Sequence, residues 1–303
     1  MAVVAPLLLL FAQLLTVAFA APVSQTLEVR QTDVSALSAD DVAVYKPYTW
    51  YASTAACNPT NTSAWNCGTK CSANPSFIPI ASGGDGGNVQ YWFVGYDPSL
   101  QTIIVSYQGT DPSKITPLIT VLRFALTPLR PSLFPGISSS LQIHDGFGEA
   151  HAASADAVLA AVRTGLSKYG VNKVTLTGHS LGGAIAIIAT AHLAVQIPGV
   201  TLRTITYANP RLGNQAFVDF VNARSEMTRV NNLHDIVPIL PGRFVGYAHT
   251  EGEVHIVKSG AWVSCPGQDN TNAECLIGYV PTLFNGNAGN HLGPYDGITF
   301  GGC

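Results

Sequence analysis

The sequence predicts an α/β fold, a mostly parallel sheet covered by helices, and three observations carry that prediction. Short runs rich in β-branched residues alternate with longer runs of helical period over much of the chain. One such run, Val174-Thr175-Leu176-Thr177, ends in the corner Gly178-His179-Ser180-Leu181-Gly182 and opens directly into an apolar helix. Apolar residues make up 47% of the 303 and charged residues only 11%, ample for one large core.

Taken in order, Gln90 to Tyr96 and Thr102 to Tyr107 read as paired strands joined by the turn Asp97-Pro98-Ser99. Ser82 to Gly87 form a glycine-rich surface loop before them. Asp145 to Tyr169 is alanine-rich with apolar positions at helical spacing, ending at Gly170, and predicts one long helix. The strand Val174–Thr177 follows, then a helix from Leu181 to about Gln196 and a strand at Arg203–Tyr207. A helix near Gln215–Arg224 and a strand at Met227–Val230 extend the alternation. Ligands of such sheets bind at the carboxyl ends of strands, where Ser180 falls. No internal repeat and no linker divides the chain.

Residues 1–20 read as a signal peptide, with a short apolar core from Leu7 to Leu15 and the small-x-small site Ala18-Phe19-Ala20. A basic leading region is missing, but the run is short and polar sequence follows from Ser24 to Asp33, which favours secretion over a membrane anchor. Residues 21–40 are expected to be a pro-segment or flexible tail, leaving 41–303 as one domain. A net charge of −3 without a basic cluster gives nucleic acid nothing to bind. In a secreted chain, six cysteines imply three disulfides among fifteen pairings. Cys67 with Cys71 and Cys265 with Cys275 are close enough in sequence to join locally, which leaves Cys57 with Cys303. A zinc site would need paired Cys-x-x-Cys units or nearby histidines, which these cysteines lack. Asn61-Thr62-Ser63 is a glycosylation sequon, whereas Pro59 blocks the one at Asn58.

The chemistry starts at Ser180. A turn sharp enough to expose a nucleophile leaves no room for side chains at Gly178 and Gly182. The helix beginning there directs free N–H groups at any developing oxyanion, the first being that of Leu181. A serine hydroxyl needs a base, and the base an orienting acid; in this architecture both follow the serine in the chain. Of the downstream acids, Asp219 lies inside a helix, Asp269 between two cysteines and Asp296 after the last histidine. Asp235 follows the strand Met227–Val230 by a few residues, in a loop at a carboxyl end, and is the expected acid. His255 alternates with apolar neighbours in a strand, and His249 precedes that strand where it can join a buried hydrogen-bond network. His291 sits in the glycine-containing loop Asn287 to Tyr295 and is the expected base. His179 is too close to Ser180 to serve it and is expected to be structural.

With these residues in hand the chain resembles the class 3 lipases, secreted fungal enzymes of the α/β-hydrolase fold. The resemblance rests on Gly-His-Ser-Leu-Gly-Gly, Tyr207 to Asn214, His234-Asp235-Ile236-Val237-Pro238 and the late His291, and runs from about Cys57 to Cys303. It implies the same triad, Ser180, Asp235 and His291, and the disulfides Cys57–Cys303, Cys67–Cys71 and Cys265–Cys275. It also implies that Thr110, in Gln108-Gly109-Thr110-Asp111, supplies the second oxyanion donor beside Leu181. Gln108 stands where the family often carries arginine, which removes an ion pair but leaves the donor in place. The apolar, proline-interrupted stretch 112–143 follows directly, where the family places a lid, and is too broken to span a membrane.

The resemblance therefore implies hydrolysis of acylglycerol esters at an oil–water interface, without cofactor or metal. A feruloyl or other carboxylesterase on the same fold is the nearest alternative, with a shorter and more polar lid expected. A silent lipid or cell-wall binder would have lost one of the three residues. A serine peptidase shares the chemistry, but nothing marks a peptide cleft.

Overall fold

The computed structural model describes residues 33–111 and 125–303. The expected signal peptide, most of the expected tail and residues 112–124 of the expected lid lie outside the described residues. Eleven strands are described: β1 (Ser35–Ala36), β2 (Ile78–Gly83), β3 (Trp92–Asp97), β4 (Thr102–Tyr107), β5 (Leu126–Pro128), β6 (Gln142–His144), β7 (Lys173–His179), β8 (Thr201–Tyr207), β9 (Ser225–Asn232), β10 (Glu253–Ile256) and β11 (Trp262–Cys265). Nine of them form one sheet in the order β1-β11-β10-β9-β8-β7-β4-β3-β2, parallel from β4 through β10 and antiparallel at both edges.

The central strands are rich in β-branched residues and largely buried because both faces are covered. All of β4 is buried, as is β7 from Val174 onward. Helix α1 (Ala39–Ala43) is followed by α2 (Lys46–Thr54), which packs on one face with Tyr51, Phe93, Tyr207 and Tyr295. After the short α3 (Pro59–Ala64) and α4 (Thr69–Ser72) come α5 (Asp145–Ala152), α6 (Ala155–Tyr169) and α7 (Leu181–Gln196). Val162 of α6 and Ile185 of α7 meet Val105 and Leu176 on the opposite face. Helix α7 is buried from Gly182 through Leu193, so its apolar character all round is that of a core helix. Helices α8 (Gln215–Asn222) and α9 (Leu276–Tyr279) complete the set.

Four expectations change. The long helix over Asp145–Tyr169 is two helices, broken at Ala153-Ser154. The break lets α5 pack against α7 while α6 lies on β3, contacts a single straight rod could not both make. The sheet begins before residue 41, since Ser35 and Ala36 pair with Ser264 and Val263. Ser38 then caps α1 through a reciprocal bond with Asp41. The described part of the expected lid, from residue 125 onward, is built into the body: β5 pairs with β6, and Leu129, Phe134, Leu141 and Ile143 are buried with Ile187 and Ile188 of α7. The glycine-rich loop is shorter than read, because Ser82 and Gly83 belong to β2.

Disulfides join Cys57 to Cys303, Cys67 to Cys71 and Cys265 to Cys275. The first closes a separation of 246 residues and fixes the tail beside α2, where Lys70 Nζ also donates to the carbonyls of Gly301 and Gly302. Among the described residues no helix is long and apolar enough to cross a membrane.

Candidate active site

Ser180 stands between β7 and α7 with φ 56° and ψ −125°, a conformation that costs a non-glycine residue about 1–3 kcal/mol. Tyr207 O accepts its N–H at 2.9 Å, and its own carbonyl accepts from Gly183 and Ala184, starting the helix. The flanking glycines are required by two different contacts. A Cβ on Gly178 would stand 2.4 Å from Gly182 O, the collision across the turn that the sequence predicts. A Cβ on Gly182 would stand 2.2 Å from Tyr107 O at the end of β4. The second glycine therefore lets the turn press against the neighbouring strand. Leu181 is the first residue of the helix, where an N–H has no preceding turn to pair with.

That neighbouring strand leads into Gln108, Gly109 and Thr110. A Cβ on Gly109 would meet His179 O at 2.6 Å, so this loop lies directly against the corner. The Oγ1 atom of Thr110 is buried and has no hydrogen-bond partner among the described residues. Gln108 continues the pairing of β3 with β4: its N–H donates to Tyr91 O at 2.8 Å and its Oε1 accepts the Tyr91 N–H at 2.9 Å. An amide, unlike the arginine common in the family, can close this backbone pair.

Asp235 and His291 meet beside the corner, where His179 bonds the His291 carbonyl. His291 Nδ1 lies 2.8 Å from Asp235 Oδ2, and both side chains are fully buried. A carboxylate can only accept, so Nδ1 carries the proton and Nε2 is left as the acceptor nitrogen. That Nε2 is buried with no hydrogen-bond partner among the described residues. Asp235 Oδ1 accepts from Val237 N–H at 3.0 Å, which fixes the carboxylate.

The loops that carry this pair are sewn together by asparagines that sequence reasoning missed. Asn232 Nδ2 donates to Asn290 O at 2.9 Å, Asn290 Oδ1 accepts from His234 N–H at 3.3 Å, and Asn287 N–H donates to His234 O at 2.6 Å. The available signal was the clustering of asparagine in both loops, at Asn231-Asn232 and at Asn287 and Asn290. His179 Nε2 donates to His291 O at 2.8 Å, and its ring stacks on Phe300. Burial, then the charge His291 can carry, pushes His179 well below the usual histidine range, so it stays a neutral donor. Tyr295 supplies a second donor to the same carbonyl, at 3.3 Å.

The remaining acids and histidines lie away from this cluster. Asp219 is exposed and accepts from Gln215, and Asp296 pairs with Lys46 at 3.2 Å. Asp269 forms a buried ion pair with Arg211 at 2.6 Å and accepts His249 N–H at 3.1 Å. His249 Nε2 donates to Pro238 O, and His255 is held between Glu274 O and Leu233 O. Around the corner stand a strained serine, the buried Asp235–His291 pair tied to it through His179, and the Gln108–Thr110 loop packed against His179. Such a set performs nucleophilic acyl transfer.

The class 3 lipase family model matches residues 104–245, which span the corner and Asp235. A secreted mono- and diacylglycerol lipase of Gibberella zeae is 30% identical over 233 residues, 73% of this chain and 72% of its own length. The chain belongs to the class 3 lipases. A secreted mono- and diacylglycerol lipase of Malassezia globosa is 30% identical over 183 residues, so the chain matches 58% of that relative's length. Among solved structures, the Rhizomucor miehei lipase–propeptide complex superposes with a TM-score of 0.78 at 26% identity, covering 89% of this chain and 85% of that one. A triacylglycerol lipase whose catalytic centre is described as a serine protease triad superposes with a TM-score of 0.76 at 25% identity, covering 89% and 99%. The sheet and its helices are thus those of an α/β-hydrolase fold, the fold of this class 3 lipase.

Proposed function

We propose that this class 3 lipase is a secreted enzyme that hydrolyses carboxylic esters of acylglycerols at an oil–water interface. The observation that carries the reading is the buried Asp235–His291 pair, its Nε2 without a partner among the described residues, tied through His179 to the strained strand–helix corner that bears Ser180. Ser180 Oγ attacks the ester carbonyl while His291 Nε2 takes its proton, and Asp235 stabilises the resulting imidazolium. The carbonyl oxygen becomes an oxyanion held by the Leu181 N–H and by Thr110. The C–O bond breaks, the leaving alkoxide takes the proton from His291, and an acyl-enzyme remains. Water, deprotonated by the same histidine, then releases the fatty acid. No cofactor enters these steps.

The names of the relatives support mono-, di- and triacylglycerols as the substrate class. An interfacial role draws further support from the surface: Phe244 is 92% and Phe284 100% exposed, on loops after Asp235 and before His291, lining one groove with Leu283. We assign residues 1–20 to an export signal and Asn61 to glycosylation, and we place the interfacial cover in the stretch beginning at residue 112.

The test compares Ser180→Ala with the parent on glyceryl esters of increasing chain length, carried across each ester's solubility limit. Ser180→Ala is expected to fold and to lose activity by roughly 10⁴–10⁶. The parent rate should jump where the ester separates from water. Retained activity in the variant would move the nucleophile elsewhere, and a smooth rate across the limit would remove the interface from the reading.

A further inference from the structure

Asp269 sits in the loop closed by the Cys265–Cys275 disulfide and takes no part in the steps above. Its backbone lies in the left-handed region, with φ 48°, a conformation that lasts only where the surroundings hold it. Both carboxylate oxygens are engaged. Oδ1 accepts from Arg211 Nε and Nη2 at 3.0 and 2.6 Å, and Oδ2 accepts from His249 N–H at 3.1 Å. Arg211 and His249 are themselves buried, so one carboxylate orients two buried donors.

Those two donors act on one short stretch of backbone. His249 Nε2 donates to Pro238 O at 2.7 Å. Arg211 Nη1 donates to Ile239 O at 2.6 Å and to Pro241 O at 2.9 Å, and Arg211 N–H donates to Leu240 O at 2.8 Å. Four consecutive carbonyls are therefore held by two residues that share one carboxylate. The held stretch begins three residues after Asp235, and the turn between them is the one whose Val237 N–H donates to Asp235 Oδ1 at 3.0 Å. Val237 O in turn accepts Leu240 N–H at 3.0 Å, which joins that turn to the held stretch. Burial, then the charges of Arg229 and Arg211, keep His249 well below the usual histidine range, so it stays neutral with its proton on Nε2 towards Pro238 O. A buried ion pair is weak evidence for stability, because desolvation offsets the attraction. An apolar pair could fill the same space, but it would supply no donor to Ile239 O or Pro241 O.

We propose that Asp269 is a positioning residue for Asp235: through Arg211 and His249 it fixes the backbone of 238–241, and that backbone holds the Asp235 carboxylate against His291. The proposal rests on the ester-hydrolase reading and adds to it a second acid that touches neither the substrate nor the reacting atoms. A carboxylate that drifts by a fraction of an ångström orients the imidazole less well, which lowers turnover more than binding.

The experiment measures kcat and KM on p-nitrophenyl butyrate below its solubility limit, from about pH 5 to about pH 9, for the full-length protein, Asp269→Asn, His249→Leu and His249→Gln. A dissolved short ester keeps the interface out of the measurement. The amide at 269 offers one accepting oxygen where two are used. Leucine at 249 removes the donor to Pro238 O and leaves the Arg211–Asp269 pair in place, whereas glutamine returns an N–H donor. His249 Nδ1 has no hydrogen-bond partner among the described residues, so neither variant costs a bond there. We expect kcat to fall about 10- to 100-fold in Asp269→Asn and about 3- to 10-fold in His249→Leu, with KM moving less than about twofold. His249→Gln should recover most of the loss. The acid limb of kcat/KM, which reports His291, should move to lower pH in Asp269→Asn and His249→Leu, because a carboxylate drawn away stabilises the imidazolium less. A shifted limb in a folded variant supports the proposal. An unmoved limb in the folded variants overturns it, however far kcat or the melting temperature falls, since damage to the fold alone leaves that limb in place. If Asp269→Asn fails to fold with Arg211 uncompensated, the two variants at His249 decide. A parent protein that cleaves no ester would instead remove the ester-hydrolase reading, and the role of Asp269 with it.

Discussion

The two halves of the candidate site are built by opposite means. The corner that presents Ser180 is five contiguous residues held by steric exclusion, with hydrogens at Gly178 and Gly182 where any side chain would collide with backbone. Asp235 and His291 are 56 positions apart and are held by a lattice of polar bonds between two loops. The first is legible as a pattern because its cause is local. The second acquires its meaning only after the sheet has brought the loops together. A steric site fails all at once when one atom is added, whereas a hydrogen-bonded site degrades by steps.

Substitution at the corner is the sharpest way to break this contrast. Gly182→Ala places a Cβ against Tyr107 O and is expected to destabilise the protein by about 3 kcal/mol or more, seen as a lower melting temperature and a poor yield. An unshifted melt would show that the corner tolerates what the geometry forbids. Asp235→Asn should do the reverse. The amide keeps an oxygen for Val237 N–H, so folding survives, but the carboxylate that fixes the His291 tautomer is gone. A loss of about 10⁴ in kcat with a near-parent melt is expected, and a loss below tenfold would remove Asp235 from its assigned role. Asn232→Ala cuts only the tie from Asn232 to Asn290 O, one step from the pair. A drop of up to about 10² in kcat with KM little moved would follow from a misplaced base. If kcat did not move, the loops would be held by their remaining bonds alone.

How far the sequence could be read follows the same division. The strand–corner–helix unit, the parallel order around it and the choice of Asp235 and His291 all rest on local pattern plus chain order. The break in the helix after Ala152 was not legible, because the Ala-rich composition of 145–169 suits one helix as well as two. What decides is that α5 packs mainly on α7 whereas α6 packs mainly on β3. The burial of Leu129, Phe134, Leu141 and Ile143 is illegible for a related reason. An apolar, proline-broken stretch reads alike whether it covers a site or fills a gap beside α7. Asn232 and Asn290 carried no sequence periodicity, and the role of Gln108 depends on a backbone pair with Tyr91 that only the assembled sheet supplies.

A third region separates damage to the whole fold from damage to the site. His151 and His192 pack with ring centroids 5.2 Å apart and with Phe134 at 6.0 and 5.4 Å from them, on the α5–α7 side of the molecule and outside both halves. Burial first, then the positive charge of His192 and Arg130, pushes His151 down to about 3, and burial pushes His192 down to about 4. In the unfolded chain both imidazoles titrate near 6.5. Between those limits the unfolded state binds protons that the folded state refuses, so stability falls as pH drops from about 6.5 towards 4 and is regained as pH rises. Each such histidine contributes at most about 1.4 kcal/mol per pH unit in that window. His151→Gln removes one of the two and is expected to flatten the acid slope by about 1 kcal/mol per pH unit, measured as denaturant midpoints at pH 7 and pH 5. Because the effect is global, it should loosen the corner at Ser180 and the Asp235–His291 contact together, without favouring the corner over the loops. An unchanged slope in His151→Gln would place the acid sensitivity elsewhere in the molecule, with His192 the next residue to replace.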